Sequence, residues 1–294
     1  MHSFGGIEAG GTKFVCAIGQ GPDNLRTIRI PTTTPQETIG RAVEFFRESN
    51  VALQSVGIAS FGPVDLIGGS PTFGFITSTP KPGWRDVDLA GQVERALGVP
   101  VAFDTDVNGA VLAETQWGAA RGLTDALYLT VGTGVGGGAI VGGRLVHGML
   151  HPEMGHIRIP HDHAADPYRG SCPYHGDCLE GLACGLAMEE RWGARAESLE
   201  SGHPAWDLEA HYLALGLATW VCTLSPQRIV VGGGVGSRPD LLVLVRQKLA
   251  ELLNGYVRTP QVLSAMHEYV VAPGLGEHSG VLGAIALAMQ PRVP

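Results

Sequence analysis

The sequence predicts a duplicated α/β fold. Two segments, residues 4–18 (FGGIEAGGTKFVCAI) and 127–141 (LYLTVGTGVGGGAIV), each contain two β-rich runs joined by a glycine-rich turn, the pattern of a β-hairpin. Each hairpin opens a block in which strand patterns alternate with helical patterns. Two such blocks in a chain of 294 residues predict two α/β lobes with a boundary near residues 116–122.

The remaining elements follow from hydrophobic periodicity and from Gly and Pro breakers. After the first hairpin, the pattern predicts helix 36–49, strand 55–60, helix 88–97, strand 100–104 and helix 108–117. After the second hairpin, it predicts helices 179–192 and 206–224, strand 228–232, helix 239–253, strand 269–272 and helix 277–289. We therefore predict an N-terminal lobe over 1–117 and a C-terminal lobe over 118–276, with the last helix, 277–290, packing back on the first lobe.

Composition excludes several classes of protein. The net charge is −8 and the chain has no run of five or six basic residues, which argues against a nucleic-acid surface. The longest apolar stretches are too short to span a bilayer, and the start has neither the basic nor the apolar region of a secretory signal. Five cysteines, an odd number with two in metal-like spacing, are typical of a reducing compartment. We expect a cytoplasmic protein that binds neither nucleic acid nor membrane.

Three glycine-rich loops, each at the end of a strand, predict a nucleotide site. The first turn is AGGTK, whose backbone N–H groups can cradle a phosphate, aided by the Thr12 hydroxyl and the Lys13 charge. Just before it, Glu8 offers a carboxylate to Mg²⁺ through water. Ordinary hairpin turns also use glycine, so any one loop alone is weak evidence. The residues that we expect to contact ATP in the three loops are Gly10, Gly11, Thr12, Lys13, Thr133, Gly134, Gly232, Gly233 and Gly234.

Acidic residues follow the predicted strand 100–104. Ligands of open α/β sheets lie at the carboxyl ends of strands, so Asp104 or Asp106 is well placed to meet a substrate. Aspartate is also a favoured helix cap, and for Asp104 we favour capping. Asp106 is the candidate catalytic residue.

Soft metal ligands cluster in one short stretch. Cys172, His175 and Cys178 lie at three-residue steps, and His156 precedes them by sixteen residues. Four N and S ligands fill a closed tetrahedral Zn²⁺ site, so we predict a structural metal in the loop 156–178. Three further residues compete for the fourth position: His161, His163 and Cys184. We expect the two histidines to be solvated and Cys184 to pack in the core.

The motifs resemble the ROK family (repressors, open reading frames and sugar kinases). The segments that carry this resemblance are GGIEAGGTKFVCAIG, DTDVNGA, VGTGVGGGAIVGG, HPEMGHI and CPYHGDCLEG, and they span nearly the whole chain in family order. Within the family, the segments IEAGGTK, TSTPKPGW and CPYHGDCLEG are most similar to those of the zinc-containing bacterial fructokinases. The resemblance implies an actin-like ATPase fold, with two lobes and a central cleft, and ATP-dependent phosphorylation of a hexose.

The resemblance also assigns roles to residues. Asp106 matches the catalytic base, Glu153 and His156 match a sugar-binding pair, and Glu180 matches the glutamate that follows the last zinc cysteine. The segment GLACGLA adds Gly185 to the nucleotide-binding residues. Three positions depart from the family's pattern: Thr105 stands for its usual Asn, Glu8 for its common Asp, and Leu186 for a proline near the nucleotide.

Several functions are compatible with these motifs. The leading prediction is an ATP- and Mg²⁺-dependent fructokinase that acts as a homodimer. The same chemistry on mannose, glucose or an N-acetylated amino sugar is the first alternative. A sugar-responsive repressor would carry a helix-turn-helix ahead of the first hairpin, for which we expect no room because the phosphate loop begins at residue 5. A zinc sensor without turnover is disfavoured by Lys13, Asp106 and Glu180.

Overall fold

A computed structural model describes residues 3–290 of the chain. It divides into two compact units. The first unit comprises the chain up to Gly122, the segment Leu145–Pro152 and the chain from Gly274 on; the second comprises Leu123–Arg144 and Glu153–Pro273. The first stretch of unit 1 ends at Gly122, the last residue of the interval 116–122 in which the lobe boundary was predicted. The chain then returns to unit 1 for Leu145–Pro152, which the sequence analysis did not predict.

The elements of the first half of the chain belong to unit 1. They are β1 (Ser3–Ala9), β2 (Lys13–Gly19), β3 (Arg26–Pro31), α1 (Pro35–Glu48), β4 (Leu53–Ser60), β5 (Phe75–Ile76), β6 (Val87–Asp88), α2 (Leu89–Leu97), β7 (Val101–Thr105) and α3 (Asp106–Gln116). The sequence analysis did not predict β3, because only Ile30 of this edge strand is buried.

The second half of the chain contains the elements of unit 2 and the last helix. They are β8 (Ala126–Val131), β9 (Val135–Val141), β10 (Arg144–Leu145), α4 (Leu179–Leu182), α5 (Gly185–Trp192), α6 (Pro204–Leu224), β11 (Arg228–Gly232), α7 (Pro239–Leu253), α8 (Pro260–Leu263), α9 (Met266–Tyr269), β12 (Val270–Val271) and α10 (Ser279–Met289). Among the helices described, α6 included, none has the length and apolar character needed to cross a membrane.

The two large sheets have the same topology. In unit 1 the strand order is β3-β2-β1-β4-β7, and the second sheet has the order β10-β9-β8-β11-β12. In each, an antiparallel hairpin is followed by two strands parallel to its first strand. The predicted duplication of an α/β block is therefore confirmed.

Helix α10 covers one face of the unit 1 sheet at very short range. A Cβ atom on Gly57 of β4 would lie 1.9 Å from the carbonyl oxygen of Ala284, and one on Gly6 of β1 would lie 3.1 Å from Ile285. Val281, Ala284 and Ile285 of the helix are buried. The last helix thus packs on strands formed near the start of the chain, and glycine on the strands permits the close approach.

We expect Gly57→Ala to lower the free energy of unfolding by about 3 kcal/mol or more, since the clash is with backbone that has no alternative rotamer. The matched control is Gly40→Ala on the exposed face of α1, where no described atom lies within 4 Å of the added carbon. This control should raise stability by about 0.5–1 kcal/mol. Urea unfolding of both variants measures the difference, and equal midpoints would contradict the packing argument.

Glu114 of α3 forms hydrogen bonds with the segment 274–279. Its side chain is fully buried, and its two carboxylate oxygens accept hydrogen bonds from the backbone N–H groups of Ala119, Gly274 and Leu275 at 2.6, 3.0 and 3.1 Å. The Ser279 hydroxyl donates a fourth, at 2.7 Å. Four donors satisfy a carboxylate that burial alone would penalise.

The predicted helix 179–192 is broken into α4 and α5. Cys184 forms the N-cap of α5, where its Sγ accepts from the backbone N–H of Ala187 at 3.4 Å. The next N–H, of Gly185, donates to the Gly132 carbonyl at 2.7 Å. The backbone therefore leaves the helix at Ala183 to bond with the turn between β8 and β9. Cys184 is buried, as predicted.

Candidate active site and metal-binding residues

The turn between β1 and β2 is fixed by its own backbone and by Thr32. The N–H of Gly10 donates to the Lys13 carbonyl at 3.0 Å, and the Thr32 hydroxyl donates to the Gly10 carbonyl at 2.7 Å. Thr12 and Lys13 are exposed. No described atom lies within 4 Å of a Cβ placed on Gly11, so that packing within the chain does not require glycine there. A ligand that approaches the backbone closely would require it.

Glu8, Asp106 and Lys13 form one electrostatic group in unit 1. Burial raises the pKa of Glu8 to about 7, and the negative charge of Asp106 adds to that rise while Lys13 opposes it. Burial also raises the pKa of Asp106 to about 6. Two buried carboxylates, one of which disfavours the charge of the other, are suited to a divalent cation, which prefers oxygen ligands. The residues present therefore fit a Mg²⁺ ion.

Asp104 does not cap α3, contrary to our expectation. Thr105 is the N-cap, and its hydroxyl accepts from the Asn108 N–H at 3.2 Å. Asp104 is buried and accepts hydrogen bonds from the Thr105 N–H at 2.7 Å and from the Asn108 side-chain amide at 2.8 Å. Its other oxygen lies 2.8 Å from Nε2 of His147, and this hydrogen bond raises the pKa of His147. Asp104 thus joins the start of α3 to the returning segment Leu145–Pro152.

We expect Asp104→Ala to lower the free energy of unfolding by about 3 kcal/mol, because buried donors would lose their acceptor. Asp88→Ala provides the comparison, since Asp88 is a true N-cap that accepts from the Gly91 N–H at 2.9 Å and pairs with Arg95. Loss of such a cap costs about 1 kcal/mol. If denaturant unfolding finds Asp104→Ala no more costly than Asp88→Ala, the buried network is not what stabilises this corner.

The predicted glycines of unit 2 gather around the end of β8. The Gly132 N–H donates to the Gly134 carbonyl at 2.9 Å, and Gly185 bonds to Gly132 as described above. Gly233 has a φ of +86°, and a Cβ on it would lie 2.3 Å from the Val131 carbonyl oxygen. Gly232 is required by packing, because a Cβ there would meet the Tyr128 hydroxyl at 2.3 Å. Gly234, in contrast, has no described atom within 4 Å of that position.

Glu180 lies against the turn that carries Thr133 and Gly134. Its Oε2 accepts from the Val135 N–H at 3.0 Å, and a Cβ on Gly134 would lie 2.6 Å from the same oxygen. Its Oε1 lies 3.9 Å from Nε2 of His156. Glu180 therefore connects the predicted phosphate turn to the predicted metal ligands, although 45 residues separate it from Val135. Glu153, the other predicted sugar ligand, is exposed and immediately precedes a short 3-10 turn, Met154–His156.

The four predicted metal ligands lie together. Nδ1 of His156 is 3.6 Å from Sγ of both Cys172 and Cys178, and Nδ1 of His175 is 3.6 Å from Sγ of Cys172. All four donor atoms lie within 4.8 Å of one another. Tetrahedral bonds to zinc with their usual lengths would separate N and S ligands by about 3.6 Å. The group fits such an ion, and the choice of His156 over His161, His163 and Cys184 agrees with this geometry.

Burial affects the protonation of the cysteines. It raises the pKa of Cys178 to about 11, so the thiolate that a metal needs would form there only with a compensating cation. With Nδ1 of His156 directed at the sulfurs, its Nε2 is the nitrogen that remains for Glu180.

Our expectation that His161 is solvated was wrong. Its side chain is 3% exposed and lies beside Asp177, whereas His163 is 65% exposed, as predicted. The sequence analysis assigned no role to His147 and His151. His147 contacts Asp104, and His151 is buried and accepts from the Val64 N–H at 3.1 Å. Their partners are 43 and 87 residues away, so no local spacing pointed to them.

The chain is similar to known proteins over nearly its whole length. The model of the ROK family matches residues 4–291. The chain is 45% identical over 294 residues to a fructokinase from Zymomonas mobilis, covering 97% of this chain and 96% of that protein.

Two solved structures are also similar. The ROK hexokinase from Thermus thermophilus has a TM-score of 0.79 at 28% identity, covering 97% of each chain. A ROK family glucokinase from Streptomyces griseus, in complex with glucose and AMPPNP, has a TM-score of 0.77 at 26% identity, covering 98% of this chain and 100% of that one. The predicted actin-like ATPase fold of the sugar kinases is confirmed.

Proposed function

The chain belongs to the ROK family, and we propose that it is a fructokinase that transfers the γ-phosphoryl group of ATP to fructose and forms fructose 6-phosphate. Its identity to the Zymomonas mobilis fructokinase is 45%, compared with 28% and 26% to the hexokinase and the glucokinase. Preference for fructose rests on this difference.

The observation that carries the proposal is the environment of Asp106. It begins α3 at the carboxyl end of β7, and burial holds its pKa near 6, close to the pH at which a cytoplasmic kinase works. A base whose pKa is close to the working pH accepts a proton well while remaining largely charged. We assign to Asp106 the removal of the proton from the sugar hydroxyl that attacks the phosphorus.

Backbone groups and one lysine would bind the phosphates. The exposed turn at Gly11, Thr12 and Lys13 offers N–H groups, a hydroxyl and a positive charge. In unit 2, Thr133 and Gly134 offer a second such turn, while Gly185 and Gly233 allow the backbone around it to pack closely. Phosphoryl transfer depends mostly on alignment and on neutralising charge, which these groups provide.

Glu8 is the proposed partner of Mg²⁺. When bound, this ion supplies positive charge to the phosphate oxygens. Glu8 would hold it through water, and Lys13 adds a fixed positive charge to the same group. Gly280 lets the Glu8 carboxylate pack directly against α10, because a Cβ there would lie 2.4 Å from that carboxylate.

Sugar binding is assigned to Glu153, His156 and Glu180, with zinc as a structural ion. Carboxylates accept hydrogen bonds from sugar hydroxyls, and the residues of this group belong to one short stretch of unit 2. A zinc ion held by His156, Cys172, His175 and Cys178 would fix the loop between Glu153 and Glu180. The metal then shapes the site and takes no part in the transfer.

A coupled assay of ADP release tests the proposal. Fructose, glucose, mannose and the N-acetylated amino sugars are supplied in turn with Mg²⁺ and ATP, and fructose is expected to give the highest kcat/KM. A higher kcat/KM for another hexose would replace fructose as the substrate while preserving the chemistry. Absence of turnover with every sugar would overturn the assignment as a kinase.

We further propose that the enzyme is a cytoplasmic homodimer. All five cysteines are free in the structure, in keeping with a reducing compartment. Exposed apolar side chains at the end of α7 and beyond it, those of Leu252, Tyr256 and Leu263, offer surface to a second copy. Sedimentation at micromolar concentration distinguishes dimer from monomer.

A further inference from the structure

A second group of side chains that could hold a metal lies within the same loop, 156–178. Nδ1 of His161 is 3.4 Å from Oδ2 of Asp177, and Nε2 of His163 is 3.8 Å from the same oxygen. The two imidazole rings are 4.1 Å apart between centroids. These three residues form a cluster separate from the zinc ligands, with all donor atoms within 4.8 Å of one another.

The hydrogen bonds of His161 determine which of its nitrogens is free. Nε2 lies 3.0 Å from the backbone carbonyl oxygen of Asp166, which can only accept, so Nε2 must carry the hydrogen. Nδ1 is then the nitrogen that faces Asp177. Histidine ligands of metals characteristically donate their second N–H to a backbone carbonyl in this way.

Asp177 is oriented by a different partner. Its Oδ1 pairs with the guanidinium of Arg158, and the same guanidinium nitrogen donates to the His175 carbonyl at 2.9 Å. Oδ2 is thereby turned toward the two histidines. Nδ1 of His161 and Oδ2 of Asp177 face each other at 3.4 Å, a distance that either a proton on Nδ1 or a bound metal ion would join.

We propose that His161, His163 and Asp177 bind a second divalent transition-metal ion of the zinc, nickel and cobalt class. Two imidazoles and one carboxylate are the donor set of open N/O sites, which leave further positions to water. Without thiolates, the site should bind more weakly than the four-ligand site. Since Asp177 lies between two ligands of the zinc, His175 and Cys178, the second ion would tie the segment after Arg158 to the zinc loop.

The test measures metal binding to the holoprotein, prepared without a polyhistidine tag and with its first site loaded with zinc. Equilibrium dialysis against Ni²⁺ and Co²⁺, with excess Mg²⁺ present to occupy the site proposed at Glu8, should give one additional ion per chain. Bound Co²⁺ should show weak d–d absorption without the intense sulfur-to-metal bands of a thiolate site. Sulfur-to-metal bands would show exchange into the first site and would overturn the proposal.

His163→Ala is the main variant, because this side chain is 65% exposed and its removal should leave the fold intact. We expect its affinity for the additional ion to fall at least about tenfold, with the zinc content unchanged. The matched control is His267→Ala, which removes an equally exposed histidine (69%) that lies beside Glu268. The proposal would be overturned if His163→Ala bound the additional ion with wild-type affinity, or if the wild type bound no additional ion. The contact between His161 and Asp177 would then be an ordinary hydrogen bond.

Should His163→Ala lose zinc as well, His163→Gln preserves most of the side-chain volume and is measured in the same way. Retention of the additional ion by a His163→Gln protein with full zinc content would also overturn the proposal.

Discussion

Replacing Asp106 by asparagine is expected to lower kcat by about 10²–10⁴-fold, the usual contribution of a positioned general base. The amide keeps the shape of the side chain but cannot accept the proton of the sugar hydroxyl. Binding of ATP and sugar should remain near normal. Because burial disfavours the charged form of Asp106, the neutral amide should leave the free energy of unfolding unchanged or higher. Steady-state kinetics and isothermal titration measure the two effects.

The control for this variant is Asp23→Asn, an exposed acidic residue of unit 1. Its kcat should equal that of the wild type. More than half of the wild-type kcat in Asp106→Asn would remove Asp106 from the role of base.

The pKa of Asp106 also predicts a pH profile. A general base acts only when unprotonated, so kcat/KM should decrease as the pH falls below about 6, the value to which burial raises the pKa of this carboxyl. The pKa of Glu8 is raised to about 7, so protonation of this carboxyl should weaken Mg²⁺ binding as the pH falls. Saturating Mg²⁺ should therefore shift the acid limb to lower pH. An activity that is constant from pH 8 to 5 would contradict both assignments.

Removing one zinc ligand should have the second large effect. We expect Cys178→Ser to yield a folded protein depleted in zinc, with a raised KM for the sugar. Four such ligands bind with a free energy on the order of 10 kcal/mol in small zinc modules, and in a chain with two apolar cores its loss should be local. Because the Val135 N–H donates to Glu180, displacement of Glu180 should also disturb the turn proposed to bind phosphate. The KM for ATP should therefore rise too, by a smaller factor than the KM for the sugar.

Cys222→Ser, an exposed cysteine on α6, is the matched control and should retain zinc and both KM values. Metal analysis and substrate titrations are made on the same preparations. Full zinc in Cys178→Ser would show that the ligand set is wrong. Loss of zinc with an unchanged sugar KM would show that the ion does not position the sugar-binding residues.

Features with a local signature were predictable from the sequence. Strand 228–232 and helix 239–253 were predicted with the bounds that the structure has, because each has a strong periodicity bounded by breakers. The grouping of His156, Cys172, His175 and Cys178 was predictable for a similar reason, since three of these side chains lie within seven residues of the sequence.

Features decided by distant partners were not predictable. Asp104 looked like a helix cap because the sequence shows only its neighbours, whereas in the structure it pairs with His147. His161 looked solvated in a polar loop but is buried against Asp166 and Asp177. The break between α4 and α5 depends on a bond to Gly132, more than fifty residues earlier. In each case a tertiary contact overrode the local pattern.

The placement of α10 has a consequence for how the protein is made. The strands β1 and β4 are synthesised well before the helix that covers their apolar face and the backbone donors at Gly274 and Leu275 that satisfy Glu114, which belong to residues 274–289. Domains fold as they are synthesised, and unit 2 is largely complete by residue 273. Unit 1 must therefore be completed after unit 2, with an apolar surface that nascent-chain chaperones can bind until residues 274–289 have been synthesised.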